Sequence, residues 1–550
     1  MKKIIFSISL LCGMMLCGTG LYGQNATTEV INVEKSYTPQ VKSQKKAQLS
    51  PTQAASSSKK LPVTYITDAP SSQVSSSSQP ISAMLITQNS VEENSIYPNY
   101  IKAGFGYNIS TMGELYYKGS VGKTTLWSKI NHDRGENGED SYDSNKSNYS
   151  HTDAAIGLSR NIGSYDAGVN FNYGYNSFSN NGPKYDGGTP SLPLFDVFTH
   201  NTYGAQVFIT SQKDGKLFDR LVLDAGFYNG RLDSKETALN ALARFNIKIR
   251  NWKISLDGRW EFYDEKFMDI SSTTGSNDMM LLSLLPQVSY KKGAIDARLG
   301  ARIELVGGSM DGADFHIMPE AHATFGVARG LNIYADLTSG INMNTMKEVS
   351  HMNPYISPFA STHFSLERFK ASVGAEANVT EALKMDVKAS YSMTEDALLW
   401  IYNSHLPQYL LGSDDVNIFS VELSGRYTIN RSHSASAYIQ YNSSSSDVLS
   451  SASCVPDFRI EASWAGKFAN EKIGVYARLA YNSSYVVATS SSYEAENDGY
   501  IEYYGELSYK LTKRWSAFVN VNNTINGRVP AIYGFETVGL RALAGIKFNF

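Results

Sequence analysis

The feature that most constrains this chain is a period of two, which returns in run after run from near Tyr100 to the last residue. In Leu540–Phe550 the even positions are Leu540, Ala542, Ala544, Ile546, Phe548 and Phe550, and the odd ones include Arg541, Lys547 and Asn549. Trp252–Phe262 sets Trp252, Ile254, Leu256, Trp260 and Phe262 against Lys253, Asp257, Arg259 and Glu261. Ile295–Leu305 and Ile501–Leu511 repeat the pattern. Side chains of a strand point alternately to opposite faces, so each run is a strand with one apolar and one charged face. Strands of water-soluble proteins run ~5–6 residues, whereas a tilted strand crossing a bilayer needs ~9–11, and these runs match the longer figure. A propeller is the competing architecture, because the tight turns recur at roughly a blade's ~40–45 residues. A blade needs four short strands in that span, and only two long ones are present.

The connections agree. Short polar turns stand at Asn161–Gly163, Asp214–Gly215, Arg250–Asn251, Lys292–Gly293, Arg329–Gly330, Thr380–Glu381, Asn430–Arg431, Asn470–Glu471 and Thr512–Lys513. Longer links lie between them at Asp133–Asn148, Asn180–Asp196, Glu265–Asn277, Lys347–Phe359 and Ser443–Ser453. Short turns alternating with long loops are the pattern of an outer-membrane barrel. The expected fold is therefore all-β, a transmembrane antiparallel β-barrel of about 22 strands, with 18 to 22 compatible with the boundaries. An even count puts both ends of the barrel on the periplasmic side.

The N-terminus reads as an export signal over residues 1–23, with Lys2 and Lys3 ahead of an apolar core from Ile4 to Leu16. Cys12 and Cys17 each follow a leucine, not the small residue that a lipid-modification signal wants. Residues 24–95 carry eleven serines between Ser50 and Ser82, interleaved with Gln, Pro and Lys, and read as a disordered periplasmic tail. Within it, residues 28–39 hold Val30, Ile31 and Val33, a segment suited to adding a strand to a partner's sheet edge. The barrel takes 96–550.

A net charge of -3 gives no argument for nucleic acid, and three Cys exclude a disulfide framework. Catalysis finds no paired nucleophile and base, and no cofactor is expected. His316, Glu320 and His322 share a strand face, but His316 and Glu320 lie ~14 Å apart at ~3.4 Å per residue, too far to ligate one metal. Arg244, Lys248, Arg250, Asp257, Arg259, Glu261, Asp296, Arg298, Arg302 and Glu304 fall on inward faces, where opposite charges on adjacent strands can pair across the ladder. They read either as a solvated wall with structural ion pairs or as a solute-selective patch. Tyr and Trp favour bilayer interfaces, and Trp127, Trp252, Trp260, Trp464 and Trp515 fall near strand ends or on outward faces. Trp400 belongs to an odd apolar stretch, Ala397–Tyr402, which reads as a surface hairpin or an anchor for another subunit.

The stretch Tyr500–Asn526, with Asn522, Asn523 and Asn526 in an Asn-Asn-x-x-Asn turn and Gly545–Phe550 closing the chain, resembles the last three strands of TonB-dependent receptor barrels. Asn353-Pro-Tyr355, the stretch Pro319–Phe325 with Tyr334–Asp336, and Val33–Pro39 are similar to barrel-only relatives of those receptors found in Bacteroidetes. The resemblance implies an outer-membrane location, surrounding lipid, and a terminal aromatic strand, Phe548 and Phe550, read by the barrel-insertion machinery. A polar residue at Phe550 is expected to impair assembly. The 72 residues of Gln24–Ser95 are shorter than the receptors' globular plug, so no plug is expected. Contact with TonB or another envelope protein would then run through residues 28–39. Two functions are expected as alternatives: passive or gated transport of a polar solute, or a non-transporting platform in an envelope complex.

Overall fold

The computed structural model describes residues 99–107, 109–136, 148–179, 197–213, 216–268, 274–309, 312–403, 408–490, 493–524, 532–535 and 540–550. The signal and tail expected over 1–95, Val30, Ile31 and Val33 among them, lie outside the described residues.

The strands in chain order are β1 (Tyr100–Gly106), β2 (Ser110–Val121), β3 (Thr124–Glu136), β4 (Asn148–Ile162), β5 (Tyr165–Ser179), β6 (Val197–Ser211), β7 (Phe218–Asn229) and β8 (Lys235–Ile249). Then come β9 (Trp252–Met268), β10 (Thr274–Lys292), β11 (Ile295–Gly308), β12 (Gly312–Ala328), β13 (Leu331–Asn342), β14 (Ser365–Asn378), β15 (Leu383–Asn403) and β16 (Gln408–Asn430). The last eight are β17 (His433–Ser446), β18 (Phe458–Phe468), β19 (Ile473–Asn482), β20 (Tyr485–Thr489), β21 (Tyr493–Asn497), β22 (Tyr500–Lys510), β23 (Trp515–Thr524) and β24 (Arg541–Asn549). One short helix, α1 (Met346–Met352), lies between β13 and β14.

Each wall strand pairs antiparallel with its neighbour, and β19 passes directly to β22 through Tyr481↔Ile501. Closure is made by β1 and β24, from Tyr100↔Asn549 to Gly106↔Leu543. The hairpin β20–β21 is inserted between β19 and β22 and takes no place in the ring, so the barrel has 22 strands, as expected. Closure leaves no free sheet edge, and every wall strand finds both its hydrogen-bonding neighbours.

The alternation fixes what each face meets. Ile254, Leu256, Leu282, Leu284 and Leu299 point outward and stay 40–66 % exposed, an apolar band that water alone would not reward. Outward Trp252 and Trp260 fit the expectation, and Trp127 stands near the start of β3, on the inward face opposite exposed Leu126 and Ile130. The tight turns lie where their residues place them, with Gly163 and Gly293 at positive φ in two-residue hairpins. Among the long links, Glu265–Asn277 is a correction: β9 and β10 stay in register through Glu265↔Asn277 to Thr274↔Met268.

The strands β15 and β16 run 21 and 23 residues. At ~3.4 Å per residue β15 spans about 70 Å, far more than a ~30 Å bilayer core demands. A register break between Thr394 and Ala397, with Asp396 at φ 51°, bends this hairpin. Its far end pairs in parallel with β20 through Ile401↔Ala488 and Tyr402↔Thr489.

Candidate functional site

The site grows from the loop of residues 343–364 at the long-loop end. Thr345 caps α1, its hydroxyl accepting from the Glu348 N–H at 3.2 Å, and the helix buries Met346, Val349 and Ser350. Asn353 then turns the chain by accepting from the Tyr355 N–H at 3.0 Å. Tyr355 lies flat on Phe535, ring centroids 3.6 Å apart, and meets the Phe198 ring edge-on at 5.4 Å. Backbone bonds run both ways to the β15–β16 hairpin: Tyr409 N–H to the Tyr355 carbonyl and Ser357 N–H to the Tyr409 carbonyl, each 2.8 Å. The Tyr409 hydroxyl donates to the Tyr533 carbonyl at 2.8 Å.

Fifteen buried residues form this layer's core. They come from the loop itself, from β4 to β7 (Tyr149, Phe178, Phe198, Tyr228), from β15 and β16 (Leu398, Trp400, Tyr402, Tyr409), and from Val487 and Phe535. Because β4 and β15 are eleven strands apart in a ring of 22, the cluster crosses the bore from one wall to the other. Trp400 is therefore corrected: it is 4 % exposed and meets Tyr409 edge-on, buried within the chain instead of presented at the surface.

Two inward carboxylates, Glu236 and Glu265, hold the loop to the wall. Glu236 on β8 accepts from the Met346 N–H at 2.6 Å. Glu265 on β9 accepts from the Thr362 N–H at 3.2 Å and its hydroxyl at 2.9 Å, while Asn277 on β10 donates to the Thr362 carbonyl. A third buried carboxylate, Glu304 on β11, accepts from the Ile341 N–H at 2.9 Å, a contact with the end of β13 and not with the loop. All three are at most 3 % exposed. A buried carboxylate is costly unless hydrogen-bonded, and for Glu236 and Glu265 the donors belong to the loop, so loop and wall satisfy each other. The polar side also gathers histidines: His351 on α1 lies 6.5 Å, ring to ring, from His151 on β4, and Asn176 bridges His151 and His200.

Below this layer, toward the short turns, a cavity of about 530 Å³ opens on the inner wall of β7 to β12. Eight of the ten charges expected inward line it: Arg244, Lys248, Arg250, Asp257, Arg259, Asp296, Arg298 and Arg302. Arg220, Lys253, Lys291 and Glu320 join them. The other two stand elsewhere, Glu304 at the Ile341 N–H of β13 and Glu261 against Arg259, with the Tyr263 hydroxyl donating to Glu261 at 3.1 Å. The expected cross-strand pairing occurs between Arg244 and Asp257, a two-bond contact at 2.7 and 3.0 Å. Arg302 meets Glu320 at 2.5 Å and Lys291 meets Asp296 at 2.8 Å. A second cavity on β14 to β18 includes Glu376, Asp386 and Glu461 with Lys384 and Arg426.

Of the metal candidates weighed from sequence, Glu320 is held by Arg302 and Gln287, and His322 by Asp336 and Thr324. Among the described residues no group of three or more His, Cys, Asp or Glu could hold a metal ion. At the closing seam Phe548 packs on Trp515 at 4.6 Å, and Phe550 stacks on Phe548 and Tyr117. Sequence reasoning did not single out residues 343–364 as the layer, nor Glu236 and Glu265 as the carboxylates that hold it. Glu236 and Glu265 continue the alternation of β8 and β9, so their inward facing was readable, but their partners lie 110 and 97 residues away.

No protein-family model and no curated protein matches the sequence. Solved structures do match in fold. The FrpB iron transporter from Neisseria meningitidis aligns over 82 % of this chain and 81 % of its own at a TM-score of 0.63 and 11 % identity. The copper transporter OprC aligns over 82 % and 80 % at 0.60 and 9 %. The ferric yersiniabactin uptake receptor FyuA from Yersinia pestis does so over 82 % and 80 % at 0.60 and 12 %. These neighbours are TonB-dependent receptors with a 22-strand barrel. At such identity the likeness establishes the fold: this chain is a closed 22-strand barrel of transmembrane type.

Proposed function

We propose that the chain is an outer-membrane barrel for the gated passage of a polar solute, with the long loops outside the cell and both barrel ends in the periplasm. The observation that carries this reading is the layer of residues 343–364, which crosses the bore and is held to the wall by Glu236 and Glu265 above a charged inner surface. A bore of about 22 strands needs something to occlude it. Here the chain's own loops supply the occlusion, independently of any plug. The neighbours named for iron, copper and siderophore uptake lend the transport class support by analogy of fold alone.

The passage reading is tested by swelling of liposomes in polar sugars. Full-length protein leaves them nearly impermeable, and Glu236→Ala/Glu265→Ala admits the sugars. If the variant folds as a barrel and the liposomes stay tight, passage is contradicted. A platform in an envelope complex is the second reading, favoured by a fifteen-residue apolar core in the layer, more than a readily opened gate needs. In either case residues 28–39, with Val30, Ile31 and Val33, are proposed to offer a strand to TonB or another envelope protein. Surrounding lipid and insertion through Phe548 and Phe550 belong to the same proposal.

A further inference from the structure

The inner wall of β7 to β12 gathers an excess of positive charge. Register places Arg220 on β7 directly opposite Arg244 on β8, and Lys248 on β8 directly opposite Lys253 on β9. Like charges facing each other across a ladder are destabilising, and here two such pairs fall in one cavity. Nine Arg and Lys line it against three carboxylates. Those three are already engaged: Asp257 by Arg244, Asp296 by Lys291, and Glu320 by Arg302 and Gln287. Arg220 and Arg298 make no ion pair with a described carboxylate.

The cavity reaches the short-turn rim, since Arg250 and Asn251 of the β8–β9 turn are among its lining. Its volume, about 530 Å³, is that of a small-molecule site, for which ~300–1,000 Å³ is usual. Guanidinium groups present paired N–H donors that match phosphate and carboxylate oxygens, so an arginine-rich cavity with an excess of positive charge is built for that chemistry. The cavity lies on the inner face, away from the apolar band, so a lipid headgroup held in the surrounding bilayer does not reach it.

We propose that this cavity binds a small polyanion bearing several phosphate or carboxylate groups. The anion offsets the excess of positive charge around Arg220 and Arg298, and it names the class of solute for the gated passage proposed above, on which its biological meaning rests. Binding itself does not require an open layer, because the cavity meets the short-turn end.

The test is calorimetric titration of the full-length protein in detergent with tripolyphosphate, and separately with citrate, at low and high salt. Saturable binding that weakens with salt is expected, and Arg220→Gln/Arg298→Gln lowers affinity by about tenfold or more. A thermal melt separates this from a merely structural role. The unliganded double variant melts no lower than the parent, since a repulsion has been removed, and it loses the stabilisation that tripolyphosphate gives the parent. Lys513→Gln, in a turn outside the cavity, leaves both readouts unchanged. Absence of saturable binding by either anion overturns the site, as does binding that the double variant retains. Capture of an acidic peptide with no response to tripolyphosphate also overturns it, in favour of a protein occupant. The two proposals fail separately: anion binding by a barrel whose opened variants stay impermeable keeps the site and removes passage. Permeable opened variants without anion binding do the reverse.

Discussion

At Glu265 one carboxylate oxygen accepts two hydrogen bonds from Thr362 while the side chain is fully buried, directly opposite the equally buried Glu236. Neither acid gains from the other; each is stabilised by the loop it holds. Glu265→Ala leaves the Thr362 N–H and hydroxyl without their acceptor, at a local cost of about 1–3 kcal/mol. Amide exchange of residues 343–364 is expected to rise roughly tenfold to a hundredfold while the wall strands stay protected. Unchanged exchange in the loop would show that Glu265 does not hold it. His351 adds a pH dependence. Burial, and then the neighbouring His151 and Lys347, hold its imidazole below the ordinary 6.5, against a smaller opposing pull from Asp153. The packed loop therefore takes up the proton less readily than the released loop does. Its stabilising share is full above 6.5 and is lost as pH falls from there through the lower value of the packed loop. Acidification is expected to speed exchange in the loop, and His351→Gln removes that step; an acid response that survives in the variant assigns it elsewhere.

Among the elements, the hairpin of β15 and β16 shows most clearly what sequence could and could not tell. Wall strands such as β9 and β11 were legible because each has one neighbour environment per face, bilayer outside and polar lumen inside, and that difference is written as alternation. Beyond the bend at Asp396 the same strand loses the pattern: Leu398, Leu399, Trp400 and Tyr402 are all buried, on both faces. Leu398, Trp400 and Tyr402 cluster with Tyr355, Val487 and Phe535, and Leu399 with Leu449 and Ala488, all from distant segments that no local window contains. For the same reason Asn353-Pro-Tyr355 stood out only by resemblance, and its role as the turn that lays Tyr355 on Phe535 came with the structure. The charges were legible as inward, but only the register showed that some oppose their own sign. Trp400→Ala removes the ring that bridges hairpin and layer, at about 3–5 kcal/mol. Limited proteolysis should then cut within 343–364 while the barrel keeps its heat-resistant gel mobility; an uncut loop would contradict the hairpin's role in holding it. At the seam, Phe550 stacks on both Phe548 and Tyr117 where β24 meets β1. Phe550→Ser is expected to lower the yield of barrel in the membrane without altering the properties of the molecules that assemble, and a normal yield would count against the signal.

For the whole molecule, three layers stack along the barrel axis. An apolar layer crosses the bore at the long-loop end, inward carboxylates receive its backbone donors below, and a cationic cavity reaches the short-turn rim. The wall supplies the carboxylates and the loops supply the closure, so the account stands or falls on whether the loops are what closes the bore. Single-channel conductance in planar bilayers decides it, comparing the full chain with a version in which residues 345–361 are replaced by a Gly-Ser linker of equal length. The account predicts a nearly silent parent and steady conductance from the replaced version, with anions carrying most of the current. A parent that conducts as freely as the replaced version, or two equally silent proteins, would contradict it.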